Sequence, residues 1–105
     1  MVLSDEVSRW FRKLRPRDKA TALEAIYMLR RHGNQLSMPW SRPLGRGLLE
    51  LRFDCADKAQ RITYTFERER RVITLTTFTK QRGSESAEIR RARRALARLR
   101  QRRDK

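Results

Sequence analysis

Three consecutive runs of alternating apolar and polar residues between Gly47 and Lys80 constrain the fold of this 105-residue chain more than any other feature. The runs are GLLELRF, RITYTFE and VITLTTFTK, and two short polar connections separate them. Alternation with a period of two residues is typical of a strand that is buried on one face. Three such runs joined by short links predict an antiparallel meander over residues 47–80.

The alternation also predicts which side chains share a face of the sheet. We expect one face to form the core with Leu49, Leu51, Phe53, Ile62, Tyr64, Phe66, Ile73 and Leu75. The other face is expected to be open and to carry Glu50, Arg52, Arg61, Thr63, Thr65, Thr74, Thr76, Phe78 and Lys80. Such a face suits a nucleic acid strand, because cations bind phosphates and an aromatic ring stacks on a base. An ordinary solvated sheet face is the alternative interpretation.

The balance of charges predicts an acidic partner. The chain has 27 Lys and Arg residues against 12 Asp and Glu residues, a formal net charge of +15. That surplus favours binding to nucleic acid or to a strongly acidic protein. No stretch is long and apolar enough to span a bilayer, and the first ten residues lack the pattern of a signal peptide. We therefore expect a cytoplasmic protein that does not associate with membranes.

The single cysteine and the single histidine are both expected to be structural. Cys55 has no intrachain disulfide partner, which fits a reducing compartment. A catalytic thiol needs an activating neighbour, and His32 lies in a different predicted element. His32 falls in the last turn of a predicted helix, where positive charge interacts favourably with the helix dipole. One histidine without Cys or acidic neighbours makes no metal site.

A pair of helices is predicted before the meander, over residues 4–33. Ser4 or Asp5 is expected to cap the first helix, and the Arg15-Pro16 step separates it from the second. Gly33 is expected to end the second helix. The segment that follows contains Met38, Pro39 and Trp40, which we expect to pack onto the helices, or to mark a partner site if they are exposed. Residues 41–44 could add a short edge strand.

An arginine-rich helix is predicted after the meander, over residues 85–103. Its apolar stripe is thin and consists of Ile89, Ala92, Leu96 and Leu99. Its other faces are crowded with arginines, and like charges three or four residues apart repel by about 0.2–0.5 kcal/mol per pair. We therefore expect an acidic group to neutralise them, either RNA phosphates or a protein partner.

Taken together, four segments of this sequence resemble one family. The segments are HGNQLSMPWSRPLGRGLLELRF, RITYTF, VITLTTFTK and EIRRARR. In this order and spacing they resemble the phage-derived HigB-like toxins of the RelE/ParE superfamily, and the resemblance covers nearly everything from Glu6 to Ala95. It implies one RelE/ParE-like α+β domain over residues 1–105. Two N-terminal helices would pack on a small, mostly antiparallel sheet, and a basic helix would follow.

The resemblance also implies a function. It implies the toxin of a type II toxin–antitoxin pair, a metal-independent endoribonuclease without a cofactor that cleaves mRNA in the A site of the 30S ribosome, next to the rRNA. Its protein partner would be a helix-turn-helix antitoxin. Two alternatives stay open at this point. One is a ParE-like toxin that inhibits gyrase, and the other is a basic nucleic-acid-binding module without catalysis.

Three cations at positions that match the family are the candidate catalytic residues. We expect Arg61 to stabilise the phosphate under attack with its planar donors. Lys80 would stabilise charge as well, or serve as the base if its neighbours lower its pKa. Arg52 would hold a flanking phosphate.

Other residues are expected to bind RNA or to support the site. The expected RNA contacts are Phe78, Arg82, Arg90 and Arg94, of which Phe78 would stack on a base. Glu50 is expected to position Arg52 or to act as a base, and Tyr64 to pack in the core.

The chain departs from the family's pattern in two places. Relatives usually begin with a strand before the helix pair, whereas only Met1 to Leu3 precede the capping residues here. The family often has two lysines after the phenylalanine, and here Gln81 occupies the second position. Arg82 is the residue that could substitute for that lysine.

Overall fold

The computed structural model describes residues 1–103, apart from the side chains of Glu69 and Arg103. Every helix and strand predicted from the sequence is present. In chain order the elements are α1 Asp5–Arg12, α2 Pro16–His32, β1 Ser41–Gly45, β2 Leu48–Cys55, β3 Lys58–Phe66, β4 Val72–Thr79 and α3 Glu85–Arg103. Short 3-10 turns lie at Gly33–Gln35 and Arg68–Arg70. No helix within the described residues is both long and apolar enough to cross a membrane.

The two N-terminal helices begin and end where local chemistry predicts. Ser4 caps α1, since its side-chain oxygen accepts a hydrogen bond from the backbone N–H of Val7 at 3.2 Å. Pro16 occupies the first turn of α2, where a missing N–H costs nothing. Gly33 follows α2 with a φ of +55°, a value that favours glycine. The helices therefore form a hairpin over one face of the sheet.

The four strands form one antiparallel sheet in the order β1-β2-β3-β4. The register between β3 and β4 shifts, because Ile62 lies opposite Thr77 whereas Tyr64 lies opposite Thr74. Two residues of β4 therefore stand against one residue of β3, which is a β-bulge. The bulge reverses the alternation of side chains along the first half of β4.

This bulge makes part of the face assignment from the sequence wrong. Ile73 and Leu75 were expected on the face of Ile62, and they lie instead on the opposite face. Thr74 was expected on the open face, but it pairs with Tyr64, and its hydroxyl accepts a hydrogen bond from the backbone N–H of Ser4. A one-residue slip moves each following side chain to the other face, and strict alternation does not reveal where the slip occurs.

Both faces of the sheet carry an apolar cluster. Under α1 and α2 the buried cluster consists of Val7, Leu29, Leu51, Ile62, Tyr64 and Val72. Under α3 it consists of Leu48, Ile73, Leu75, Ala92 and Leu96. The second face is therefore covered in part by α3.

The prediction of a RelE/ParE-like fold is wrong. The chain begins with a helix hairpin, continues with four antiparallel strands in chain order, and ends with a helix on the opposite face of the sheet. Ahead of the hairpin, Val2 makes one isolated parallel bridge to Ile73. The Val2 N–H donates to the Val72 carbonyl and the Thr74 N–H donates to the Val2 carbonyl, both at 2.9 Å. This bridge stands beside β4, at the edge of the sheet.

Candidate nucleic-acid interface

The strand register brings three of the predicted site residues onto one face. Arg52, Arg61 and Phe78 form a row across β2, β3 and β4. Lys80 lies one row further toward the strand ends, where its backbone N–H donates to the Ala59 carbonyl at 2.8 Å. Arg61 and Phe78 are buried, at 6% and 8% exposed, whereas Arg52 is half-buried and Lys80 is exposed. The sequence-based expectation of a shared face is confirmed for Arg52, Arg61 and Phe78, and it stays a prediction for Lys80, which follows the end of β4.

Glu50 lies in the next row and is fully buried. Its Oε1 atom is 3.7 Å from the Nε of Arg61 and 3.9 Å from the Nε of Arg52. At these distances the opposite charges attract each other, but the atoms are too far apart for a hydrogen bond. Both Glu50 oxygens and both Nε atoms are buried without a hydrogen-bond partner among the described residues. Glu50 therefore acts on both arginines through charge alone.

Burial dominates the electrostatics of this cluster. It raises the pKa of Glu50 despite the opposing effects of Arg61, Arg52 and Arg42, and nearby Glu85 raises it further. Burial also lowers the pKa of Arg61, and the positive charge of Arg52 lowers it again. Two like charges held side by side over a single carboxylate leave an excess of positive charge. The arrangement can therefore bind an anion.

A shallow pocket of about 220 Å³ opens above the two arginines. It is lined by Pro39, Arg52, Phe53, Asp54 and Arg61; we call it the arginine pocket. Asp54 is exposed and places a carboxylate beside the two guanidinium groups. Sequence reasoning missed Asp54, although it continues the alternation of Glu50 and Arg52 along the same strand and could have been found from that pattern.

The other predicted residues differ in accessibility. Phe78 is only 8% exposed, so little of its ring is free for a base. Tyr64 is in the core, where its hydroxyl shares a hydrogen bond with that of Ser41, as expected for a packing residue. The expected RNA contacts Arg82, Arg90 and Arg94 are exposed, the first before α3 and the others on it. Their contact with RNA stays a prediction.

Three other arginines of α3 bind groups within the protein. Arg91 pairs with Glu6 and Glu88. Arg93 donates to the Leu44 and Gly45 carbonyls at the end of β1, at 3.2 Å for Gly45, and Arg100 donates to the Arg46 carbonyl at 2.9 Å. Part of the arginine surplus on this helix therefore anchors it to the sheet and to α1.

The surroundings of Cys55 disfavour a reactive thiolate. Cys55 is buried, and its thiol donates to the Asp18 carbonyl at 3.6 Å. Burial raises the pKa of this thiol and the Asp18 carboxylate raises it further, so the reactive thiolate is disfavoured. The expectation of a structural cysteine fits this environment.

The segment before β1 exposes apolar side chains instead of packing them all onto the helices. Met38 is 54% exposed and Trp40 is 48% exposed. Tyr27 on α2 is 60% exposed and lines a hollow together with Trp40. Of the two interpretations given for this segment, the structure therefore favours a partner site. Sequence reasoning did not single out Tyr27, because an aromatic residue within a helix that also carries other apolar residues is typical of the core.

Comparison with known proteins places the chain in a family. No curated protein and no solved structure matches it. Residues 9–100 match the family model described as "Phage derived protein Gp49-like". This segment holds the arginine pocket, Glu50 and Lys80 as well as most of α3. Because the match spans far more than half of the 105 residues, the chain belongs to the phage-derived Gp49-like family.

Proposed function

We propose that this protein is the toxin of a type II toxin–antitoxin pair and that it cleaves mRNA on the ribosome. The observation that carries the proposal is the arginine pocket, in which Arg52 and Arg61 lie side by side over the buried carboxylate of Glu50. Membership of a phage-derived family and the resemblance of the motifs to HigB-like toxins support the same class of function.

The arginine pocket suits the phosphate of an RNA strand. Two guanidinium groups offer planar, paired donors to phosphate oxygens. The Nη1 atom of Arg61 donates to the backbone carbonyl of Gln60 at 3.1 Å, which fixes the guanidinium plane. Arg52, whose side chain is 24% exposed, would contact a phosphate directly, and Arg61, which is 6% exposed, would add positive charge from beneath. Both roles require charge that is in place before the reaction begins, because preorganised groups need no reorientation in the transition state.

Cleavage would proceed by attack of the ribose 2′-oxygen on the adjacent phosphorus. A base removes the 2′-hydroxyl proton, the new P–O2′ bond forms and the P–O5′ bond breaks. The departing 5′-oxygen takes up a proton, so the products are a 2′,3′-cyclic phosphate and a 5′-hydroxyl. Asp54 is the exposed carboxylate in the arginine pocket and is our candidate for the base. Lys80, which is exposed just after β4, would stabilise the negative charge or supply the second proton.

Glu50 would act as a positioning residue rather than as the base. Its side chain is fully buried beneath the arginines, so RNA cannot touch it. Its charge lies 3.7 Å from Arg61 and 3.9 Å from Arg52 and keeps the two like charges near each other. Exposed arginines of α3, such as Arg90 and Arg94, would meet rRNA or the antitoxin.

Expression from a tightly repressed promoter tests the proposal. We expect growth arrest together with new mRNA 5′ ends in phase with codons. Arg61→Ala and Lys80→Ala should relieve the arrest and remove the new ends, while the proteins stay folded by circular dichroism. Arg31→Ala is the matched control, because Arg31 is exposed on α2 and does not line the arginine pocket.

Three outcomes would contradict the proposal. Full toxicity of folded Arg61→Ala and Lys80→Ala proteins would remove the site assignment. A DNA-damage response without mRNA cuts would point to inhibition of a topoisomerase. Normal growth, with RNA binding that weakens steeply as salt rises, would point to a binding module without catalysis.

A further inference from the structure

A second hollow lies next to the arginine pocket and has no part in the cleavage chemistry. Its volume is about 430 Å³, within the range of roughly 300–1,000 Å³ that is typical of small-molecule sites. The apolar lining comes from Tyr27, Met28, Trp40 and Phe53, and the polar lining from Thr21 and Glu24. We call this hollow the aromatic groove.

The aromatic side chains of the groove are unusually accessible. Tyr27 is 60% exposed and Trp40 is 48% exposed. A tryptophan and a tyrosine around one hollow offer flat rings with little conformational freedom. Clustered exposure of this kind marks a binding surface, whereas single exposed apolar side chains do not.

The aromatic groove and the arginine pocket are adjacent. Phe53 lines both, and the consecutive residues Pro39 and Trp40 line one each. The Trp40 carbonyl accepts a hydrogen bond from the backbone N–H of Arg52 at 2.8 Å, which holds Trp40 beside the arginine. A ligand that occupies the arginine pocket therefore needs only to pass the Pro39–Trp40 step to enter the groove.

The lining of the groove matches a nucleobase better than a phosphate. Aromatic walls suit the face of a base, and stacking on them tolerates any base. The Thr21 hydroxyl and the Glu24 carboxylate can hydrogen-bond the polar edge of a base. Because Glu24 is negatively charged, it disfavours a phosphate here, whereas the arginines next door favour one.

We propose that the aromatic groove holds a nucleobase of the same single-stranded RNA whose phosphate occupies the arginine pocket, stacked against Trp40 and Tyr27. This inference rests on the proposed function, since it needs RNA at Arg52 and Arg61. It defines a path for the strand, from the sheet face over the edge of β2 to α2.

Binding of a short 2′-O-methyl oligoribonucleotide tests this path, because the blocked hydroxyl cannot attack. We expect Trp40→Ala and Tyr27→Ala each to weaken the Kd by about 5-fold to 150-fold, the loss typical of one base–aromatic stack. Leu23→Ala is the matched control. Leu23 is 53% exposed on the same helix but does not line the groove, so its loss should leave the Kd unchanged.

A scan with abasic nucleotides separates stacking from general effects of the substitutions. One abasic position should weaken binding to the unaltered protein, and the same position should weaken binding to Trp40→Ala by a smaller factor, because only Tyr27 is left to stack on the base. The free energy of binding lost when base and ring are both removed is then smaller than the sum of the two separate losses, which is the sign of a direct contact. Additive losses at every position would overturn the inference.

The outcomes distinguish failure of the path from failure of the proposed function. If the unaltered protein binds no RNA, both fail. If Arg61→Ala weakens RNA binding while Trp40→Ala and Tyr27→Ala behave like Leu23→Ala, only the path over α2 fails. If Trp40→Ala binds RNA normally but escapes neutralisation by a co-expressed antitoxin, the groove belongs to a protein partner and the inference is overturned.

Discussion

At the scale of single residues, the site is organised by the buried carboxylate of Glu50. The alternation along the strand predicted which face Glu50 lies on but not that its side chain is buried. Glu50, Arg52, Arg61 and Lys80 were assigned to one face from their spacing, and strand register confirms this for the first three. Full burial of Glu50 depends on contacts between residues far apart in the chain, such as the one with Arg61 on β3. Local spacing along one strand does not encode such contacts.

Replacement of Glu50 by Gln should change how stability depends on pH. Burial raises the pKa of Glu50 in the folded state, so the folded protein binds this proton more tightly than the unfolded chain does. Stability from this group is therefore present at low pH and is lost as pH rises through the raised pKa. The free energy of unfolding of the unaltered protein, minus that of Glu50→Gln, should fall as pH rises above the ordinary glutamate range.

Urea unfolding at a series of pH values measures this difference. A difference that grows with pH would mean that Arg61 and Arg52 outweigh burial.

Removal of the Tyr64 hydroxyl should reduce stability and leave RNA cleavage intact. Tyr64→Phe leaves the buried hydroxyl of Ser41 without its hydrogen-bond partner, which lowers the free energy of unfolding by about 1–3 kcal/mol. Ser41→Ala combined with Tyr64→Phe should recover much of that loss, because neither hydroxyl is then unpaired. Denaturant unfolding and an mRNA cleavage assay check both parts. Loss of cleavage in a stable Tyr64→Phe protein would assign Tyr64 to the chemistry instead.

At the scale of elements, the sequence predicted each helix and strand but not how they stack. The helix caps, the Pro16 break and the three alternating runs are local signals, and the corresponding elements are present. The bulge in β4 moved Ile73 and Leu75 to the second face, where they form the surface on which α3 packs. Each residue of VITLTTFTK suits a strand with or without a bulge. The sequence therefore does not determine where the register shifts in β4 or on which face of the sheet α3 packs.

The arginines of α3 should divide into anchors and RNA contacts. Arg93→Ala removes hydrogen bonds to the end of β1 and should lower the free energy of unfolding by about 1 kcal/mol, since the group is partly exposed. Arg90→Ala, at an exposed position on the same helix, should leave stability unchanged and reduce the slope of log K against log salt for RNA binding by about 0.7. Thermal unfolding and salt titrations measure the two effects. Equal loss of stability in both variants would contradict the division.

At the scale of the whole molecule, α1 and α2 pack on one face of the sheet and α3 packs on part of the other. The formal net charge of +15 attracts a polyanion toward the arginine pocket over distances of about the Debye length. The second face was expected to be open along its whole length, but α3 covers part of it. The result is a short cationic surface that lies beside the aromatic groove on α2.

The most direct test of the central claim is cleavage by the purified protein on programmed ribosomes, with the new RNA ends mapped and their chemistry determined. Cuts in phase with codons, a 2′,3′-cyclic phosphate and a 5′-hydroxyl are predicted, with the cuts lost in Arg61→Ala and strongly reduced in Asp54→Asn. Arg31→Ala should cut like the unaltered protein. Absence of any cut, or equal cutting by folded Arg61→Ala, would contradict the assignment of the arginine pocket as a site of RNA cleavage.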